Sequence, residues 1–305
     1  MNGTKKLRCG IAAIVGRPNT GKSTLLNNIL GEKLSIVSKI PQTTRYQIRG
    51  ILTDERGQIV FIDTPGMHLP KNRMGSCLVR QIDDAIAHCD LIIHLVDVSE
   101  SPGQEERLMV EKINAADAKI ILGLNKIDLK AVFLDSYIKL WEEARLKKIQ
   151  EMTADFILMP MSGLKGTNVD KLVATLFEQM LESEMLYPKD ILSDFPQRLA
   201  IADMIREKLF LLLRQELPYA VAVYVDEIQP RSKKLTFIRA VILIERESQK
   251  QIVIGKDGHI LKTVGEQARA EIETLLERKV FLETHVKVKP GWQEDPSTLR
   301  QLGFL

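Results

Sequence analysis

The stretch Gly16-Arg17-Pro18-Asn19-Thr20-Gly21-Lys22-Ser23 has the residue types and spacing of a polyphosphate cradle. Its glycines let backbone N–H groups turn inward on oxygen atoms, and the helix opening around Thr24 aims its positive end the same way. Lys22 is expected to neutralise the outer phosphates and Ser23 to ligate Mg2+. Three further stretches follow in the order such a site requires. Asp63-Thr64-Pro65-Gly66 offers a carboxylate that reaches Mg2+ through water and, in Gly66, an N–H for the terminal phosphate. Asn125-Lys126-Ile127-Asp128 places in Asp128 a carboxylate that accepts from the N1–H and 2-amino groups of guanine. Adenine lacks that donor pair, so a site built around it rejects ATP strongly. Ser162 and Gly163 then close the base pocket with backbone N–H groups. The expected ligand is GTP or GDP.

A second glycine loop, Gly255-Lys256-Asp257-Gly258, has no serine or threonine after its lysine and does not fit a nucleotide. It lies between the aliphatic run Ile252–Ile254 and a helix opening near His259. That setting matches the GxxG loop of a KH domain, which clamps the backbone of about four unpaired nucleotides. Lys256, Lys250 and Lys262 supply positive potential, as does the helix N-terminus. Val253, Ile254 and Ile260 are expected to form a groove wall for bases. Arg231, Lys233 and Lys234 sit in the basic loop QPRSKK and read first as a solvated turn, with RNA contact as the alternative.

These loops need elements to hold them. Apolar runs at Cys9–Val15, Leu91–Asp97, Lys119–Leu124 and Phe156–Met159 read as buried strands. Helical spacing follows at Lys22–Leu30, Gly103–Ala116, Leu134–Ile149 and Val169–Leu181. Tyr46–Thr53 and Gln58–Asp63 flank the turn sequence DERG as a hairpin. Alternation of this kind predicts an α/β domain over 1–182, a mixed, mostly parallel sheet with helices on both faces. Residues 183–196, with two prolines and clustered charge, read as a linker. Residues 197–305 run α-β-β-α-α-β, with no parallel-sheet rhythm. Their elements are an amphipathic helix Arg198–Gln215, strands Ala220–Ile228 and Leu235–Glu245, a helix near Ile260–Glu277 and a strand Val280–Lys289. This is an α+β arrangement of the type II KH kind, closed by a C-terminal tail.

Bulk properties narrow the classes. The chain has 305 residues, 45% of them hydrophobic and 27% charged, which suits two soluble domains. No run approaches the 18 uncharged apolar residues of a membrane span, and the opening MNGTKKLRCGIAAIVG reads as a buried strand entering the first loop. The net charge of +3 hides an asymmetry. Residues 1–195 carry 25 basic and 25 acidic side chains and residues 196–305 carry 18 and 15, so the excess is C-terminal. Cys9, Cys77 and Cys89 are too few and too scattered for a disulfide framework or a zinc site and read as inert core thiols. Trp292 reads as a packing anchor, and Glu142, Glu143, Lys147 and Lys148 as a solvated helix face.

The motifs GRPNTGKS, DTPG, NKID and SGL resemble those of the translation-factor branch of the P-loop GTPases. With PQTTR, ELPYAV, VIGKDGHI and VKVKPGW added, nearly the whole chain is similar to the bacterial ribosome-assembly GTPases that end in a KH domain. The resemblance implies a P-loop GTPase hydrolysing GTP to GDP and phosphate slowly and with Mg2+, using Lys22, Thr44 and Gly66. It makes Thr44 the switch threonine that binds Mg2+ beside Ser23 and Asp63, with Thr43 its competitor. The position where Ras-like relatives carry a water-orienting glutamine is Met67, followed by His68; the latter reads first as an exposed loop histidine. Asn19 implies K+ as a further cofactor. For partners it implies the 3′ end of 16S ribosomal RNA and the 30S subunit, bound by a cytoplasmic monomer with a peripheral inner-membrane fraction. Two other readings stay open: a GTPase whose C-terminal domain modifies tRNA or senses membranes, and an RNA chaperone in which nucleotide is structural.

Overall fold

The computed structural model describes residues 7–38, 40, 43–146, 156–213 and 217–305. Expectations at Pro41, Gln42, Lys147 and Lys148, and the predicted helix ends at 149 and 215, lie outside them. The chain divides into two compact units, Met1–Pro70 with Leu78–Asp194 and Lys71–Cys77 with Phe195–Leu305.

The first unit is a six-stranded sheet in the order β2-β3-β1-β4-β5-β6. Its strands are β1 (Arg8–Val15), β2 (Ile48–Asp54), β3 (Gly57–Asp63), β4 (Leu91–Asp97), β5 (Lys119–Asn125) and β6 (Phe156–Pro160). Only β2 runs antiparallel, paired with β3 across the predicted hairpin. All seven residues of β3 and of β4 are buried, as expected of strands covered on both faces. The covering helices are α1 (Lys22–Leu30), α2 (Arg73–Ala87), α3 (Gln104–Asn114), α4 (Leu134–Leu146) and α5 (Val169–Gln179). Helix α2 is absent from the sequence expectations. Pro70 and Gly75 obscure its start, yet Met74, Leu78, Ile82 and Ile86 recur every four residues and are all buried.

Residues 183–194 are fastened to this unit rather than loose. Ser183 N donates to Leu7 O at 3.0 Å and Ile51 N to Leu192 O at 2.8 Å. Both Leu186 N and Tyr187 N reach Gln58 Oε1 at 2.9 Å.

The second unit holds α6 (Gln197–Leu212), α7 (Leu217–Ala220), β7 (Ala222–Pro230), β8 (Leu235–Ile244), α8 (Glu247–Ile254), α9 (His259–Leu276), β9 (Lys279–Val288) and α10 (Pro296–Gln301). Strands lie in the order β7-β8-β9. Although the order of elements lacks a parallel-sheet rhythm, β8 and β9 run parallel over ten residues. The helix pair α8–α9 between them is the crossover that a parallel pair needs. Helix α6 also departs from simple amphipathicity. Besides Ile201, Ile205 and Leu209 it buries Asp203, Arg206, Glu207 and Lys208. Those charges are paired, Arg206 with Asp203 at 2.7 Å and Lys208 with Glu207 at 2.9 Å and Glu271 at 2.5 Å, which offsets their loss of water.

Candidate nucleotide and RNA sites

The first site sits where the sheet reverses direction. Strand β1 has β3 on one side and β4 on the other, and a crevice opens beyond the carboxyl ends of the strands at such a point. The first glycine loop follows β1, DTPG follows β3 and NKID follows β5. Together they line a cavity of about 500 Å³.

Pro18, Asn19, Gly21, Lys22, Ser23 and Thr24 form one wall of it. Thr43, Thr44 and Gly66 face them, and Asn125, Lys126, Asp128 and Ser162 stand at the far end. Lys22 is 6% exposed, and its Nζ donates to the carbonyls of Gly16 at 3.1 Å and Arg17 at 2.7 Å. Burial pulls its pKa down to about 8, against the attraction of Asp63. Ser23 Oγ donates to Asp63 Oδ2 at 2.7 Å and lies 2.9 Å from Thr44 Oγ1. Thr43 is engaged differently, its hydroxyl donating to Ile40 O at 2.5 Å. Asp63 is fully buried, and its Oδ1 has no hydrogen-bond partner among the described residues. Burial raises the Asp63 pKa, while Lys22 and Ser23 hold it down in part. Three hard oxygen donors and one orphaned carboxylate oxygen fit Mg2+.

The remaining predicted residues support the cavity rather than line it. Thr64 Oγ1 donates to Ile14 O at 2.8 Å, and Pro65 beside it is buried. Thr20 Oγ1 donates to Arg17 O at 3.1 Å. Met67 departs from its assignment as a nucleotide contact: its N–H is spent on Gly16 O at 3.0 Å, and its side chain packs in the hydrophobic core. An apolar thioether gains more there than beside phosphates. Ile127 leans on the same core. His68 Nδ1 sits 3.1 Å from Gly66 O. Gly66 itself must be glycine, since a Cβ would lie 2.6 Å from Pro18 Cα.

Asn125 is a cross-brace. Its Nδ2 donates to Thr20 O at 2.7 Å, and its Oδ1 accepts from Gly163 N at 2.8 Å, so the base-side loop and the phosphate loop hang on one amide. Lys126 reaches Asp97 at 2.5 Å. Burial pulls the Asp97 pKa up, and the hydrogen bonds from Lys126 and Ser99 outweigh it, leaving a net lowering. Asp97 escaped the sequence reading although it ends β4 in register with Asn125. Also missed were Ile36, Val37 and Ser38, together with Glu100 and Leu129, all lining the cavity, as does Leu164 of the expected SGL turn. Leu129 and Leu164 are 54% and 69% exposed, apolar flanks suited to the faces of a planar base.

The second glycine loop joins α8 to α9 through a single turn, Lys256–Gly258. Asp257 and Gly258 both adopt left-handed backbone, with φ of 53° and 73°. Gly258 caps α9 with no side-chain cap and no acidic residue in the first helical turn; His259 N–H is answered by Lys256 O, and no side chain competes for the positive helix end. Lys256, Asp257 and Lys262 are exposed; Lys250 is half-buried and 3.6 Å from Glu247. The groove-wall expectation is corrected for Val253, which is fully buried in the core because α8 turns it inward. Ile252 is the exposed aliphatic of that helix, while Ile254 and Ile260 are half-buried. Trp292 is wholly buried, with Nε1 donating to Ala220 O at 3.1 Å; it packs and cannot stack on a base. Cys9 and Cys77 are buried, and burial pushes the half-buried Cys89 thiol up to about 11, so none is a nucleophile at neutral pH.

Against known proteins, the family described as 50S ribosome-binding GTPase matches residues 11–126 and the KH domain family matches 216–293. GTPase Era of Geotalea uraniireducens (strain Rf4) is 43% identical over 303 residues, covering 98% of this chain and 99% of its own. GTPase Era of Carboxydothermus hydrogenoformans is 41% identical over 298 residues, covering 97% and 98%. A crystal structure of Era with MgGDPNP and nucleotides 1506–1542 of 16S ribosomal RNA superposes with a TM-score of 0.88 at 37% identity, covering 98% of this chain and 99% of that one. A variant of Aquifex aeolicus Era bound to GDP·AlF4− gives 0.87 at 38%, with the same coverage.

Proposed function

This chain belongs to the Era family of GTPases, and from that premise we propose a GTP-driven switch that grips the 3′ end region of 16S ribosomal RNA during assembly and maturation of the 30S subunit. The observation that carries the reading is the pairing of two unlike glycine loops. One faces a cavity with Asp128 and the Ser23–Thr44–Asp63 oxygens. The other opens an uncapped 18-residue helix.

In the nucleotide site, Lys22 exchanges its two carbonyl partners for phosphate oxygens, and the loop N–H groups hold the phosphates in place. Ser23, Thr44 and Asp63 would hold Mg2+, which when bound spreads negative charge off the terminal phosphates. Phosphate oxygens and water would supply the rest of its oxygen ligands. Gly66 N–H marks the terminal phosphate, and Asp128 selects guanine. With Met67 in the core, no side chain from that position orients the attacking water, which supports a slow intrinsic rate. K+ near Asn19 is part of the proposal, as is a monomeric, cytoplasmic protein with a peripheral membrane fraction. Among the described residues no helix is long and apolar enough to cross a membrane.

Crosslinking the protein to RNA in cells and sequencing the attached fragments tests the reading. Enrichment of the 16S 3′ end is expected; enrichment of tRNA instead, or of no RNA, contradicts it.

A further inference from the structure

Behind the phosphate loop lies a buried polar chain that GTP chemistry does not call for. Glu106 on α3 is fully buried. Its Oε1 lies 2.7 Å from His94 Nε2 and its Oε2 lies 2.7 Å from Arg17 Nε. Arg17 Nη2 donates to Tyr137 Oη of α4 at 3.0 Å. Trp141, also on α4, brings Nε1 to 3.1 Å from His94 Nδ1.

The indole N–H can only donate. Nδ1 of His94 must therefore accept, and the single ring proton sits on Nε2, donated to Glu106. A protonated imidazole would set N–H against N–H inside the core. The indole N–H thus fixes the His94 tautomer, and the Glu106 charge is answered by Arg17. Glu100, 3.9 Å from Arg17 Nη2, is itself exposed and adds little.

Arg17 faces two ways. Its side chain runs to α3 and α4 and is not among the cavity's lining residues. Its carbonyl, inside the loop, accepts from both Lys22 and Thr20. A well-packed apolar pair in place of Glu106 and Arg17 would serve stability as well or better; what the charge pair adds is a fixed position.

We propose that Glu106 is a positioning residue for the nucleotide site: with the His94 tautomer fixed by Trp141, it holds Arg17 as a strut under the phosphate loop and thereby sets how long nucleotide stays bound. The inference rests on the nucleotide reading of the cavity and goes beyond it, since these side chains touch no phosphate.

The test is release of fluorescent (mant) GDP by stopped flow, with steady-state KM and kcat, on the full-length chain. Glu106→Gln keeps size and one acceptor oxygen for the His94 N–H, while removing the charge and setting an amide NH2 beside Arg17 Nε. It is expected to speed release about tenfold and raise KM in step, with kcat within about twofold. Unchanged release overturns the strut. Trp141→Phe provides a second readout that a purely structural role would not move. It frees His94 Nδ1 to take a proton, so release should quicken as pH falls from about 8 to 6, where the wild type stays flat. The charged and titratable groups facing this chain are Glu106, Arg17, Tyr137, Glu100, Glu105, Asp97 and Lys22. Burial pushes Tyr137 far above that range; Lys22, at about 8 in the nucleotide-free chain, is common to wild type and variant, so the variant's excess over the wild type is the readout. A flat profile in Trp141→Phe overturns the tautomer lock and the proposal with it. Binding of labelled GDP by the wild type reports on the site itself, so the two readings fail separately.

Discussion

Lys22 couples the nucleotide site to pH. In the folded, nucleotide-free chain its pKa lies at about 8, against 10.5 for an ordinary lysine. Phosphates favour the charged form, so above pH 8 binding must take up a proton. GTP affinity should be flat from pH 7 to 8 and fall by up to about tenfold per unit beyond, as read by titration with labelled nucleotide. The sign for stability is opposite. Between 8 and 10.5 the unfolded chain binds more protons at this site, so Lys22 makes the nucleotide-free fold more stable as pH rises there. In the proposed reading Asp128 selects the base, and Asp128→Asn should shift preference from GTP toward xanthosine triphosphate; an unaltered preference in competition binding would remove it as the guanine reader. Asp257 is the odd member of the second loop, an exposed carboxylate in the turn proposed to meet RNA phosphates. Asp257→Asn should tighten single-stranded RNA binding by roughly threefold at low salt and leave GTP binding alone.

At the level of elements, four strands of the first unit were legible as short apolar runs leading into a motif, β1 into GRPNTGKS, β3 into DTPG, β5 into NKID and β6 into SGL, and β4 by its apolar run alone. β4 was expected at Leu91–Asp97 and is found there. Helix α2 was hidden by Pro70 and Gly75 at its entrance, although its four-residue apolar spacing was present. The parallel pairing of β8 and β9 could not be read from element order alone, because α8 is short and the turn after it looked like an interruption rather than a crossover. The site followed the same division. Residues whose chemistry depends on a local motif, such as Ser23 and Asp63, announced themselves. Asp97 and Glu106 did not, since their partners Lys126 and Arg17 are 29 and 89 positions away in the chain. Gly66→Ala should separate the DTPG turn from the phosphate loop, because the added Cβ meets Pro18 at 2.6 Å. At least a tenfold loss in kcat, with the fold retained by circular dichroism, is the expected outcome.

For the molecule as a whole, the two glycine loops divide the labour, guanine nucleotide in one unit and unpaired RNA in the other. Lys22→Ala should therefore abolish GTP binding yet leave RNA affinity measurable. The most direct test is the affinity of the full-length chain for a single-stranded RNA copying the 16S 3′ end, comparing wild type with Gly258→Asp at low salt. Residue 258 has left-handed backbone, which aspartate tolerates, and nothing lies within 4 Å of an added Cβ, so the fold accepts the change while a carboxylate confronts the phosphates. Wild-type binding should weaken with salt at a slope of about −0.7 per phosphate contacted, the variant should bind at least tenfold more weakly, and GTP affinity should be equal in both. Equal RNA affinity in the two proteins, or none in either, would contradict this division of labour.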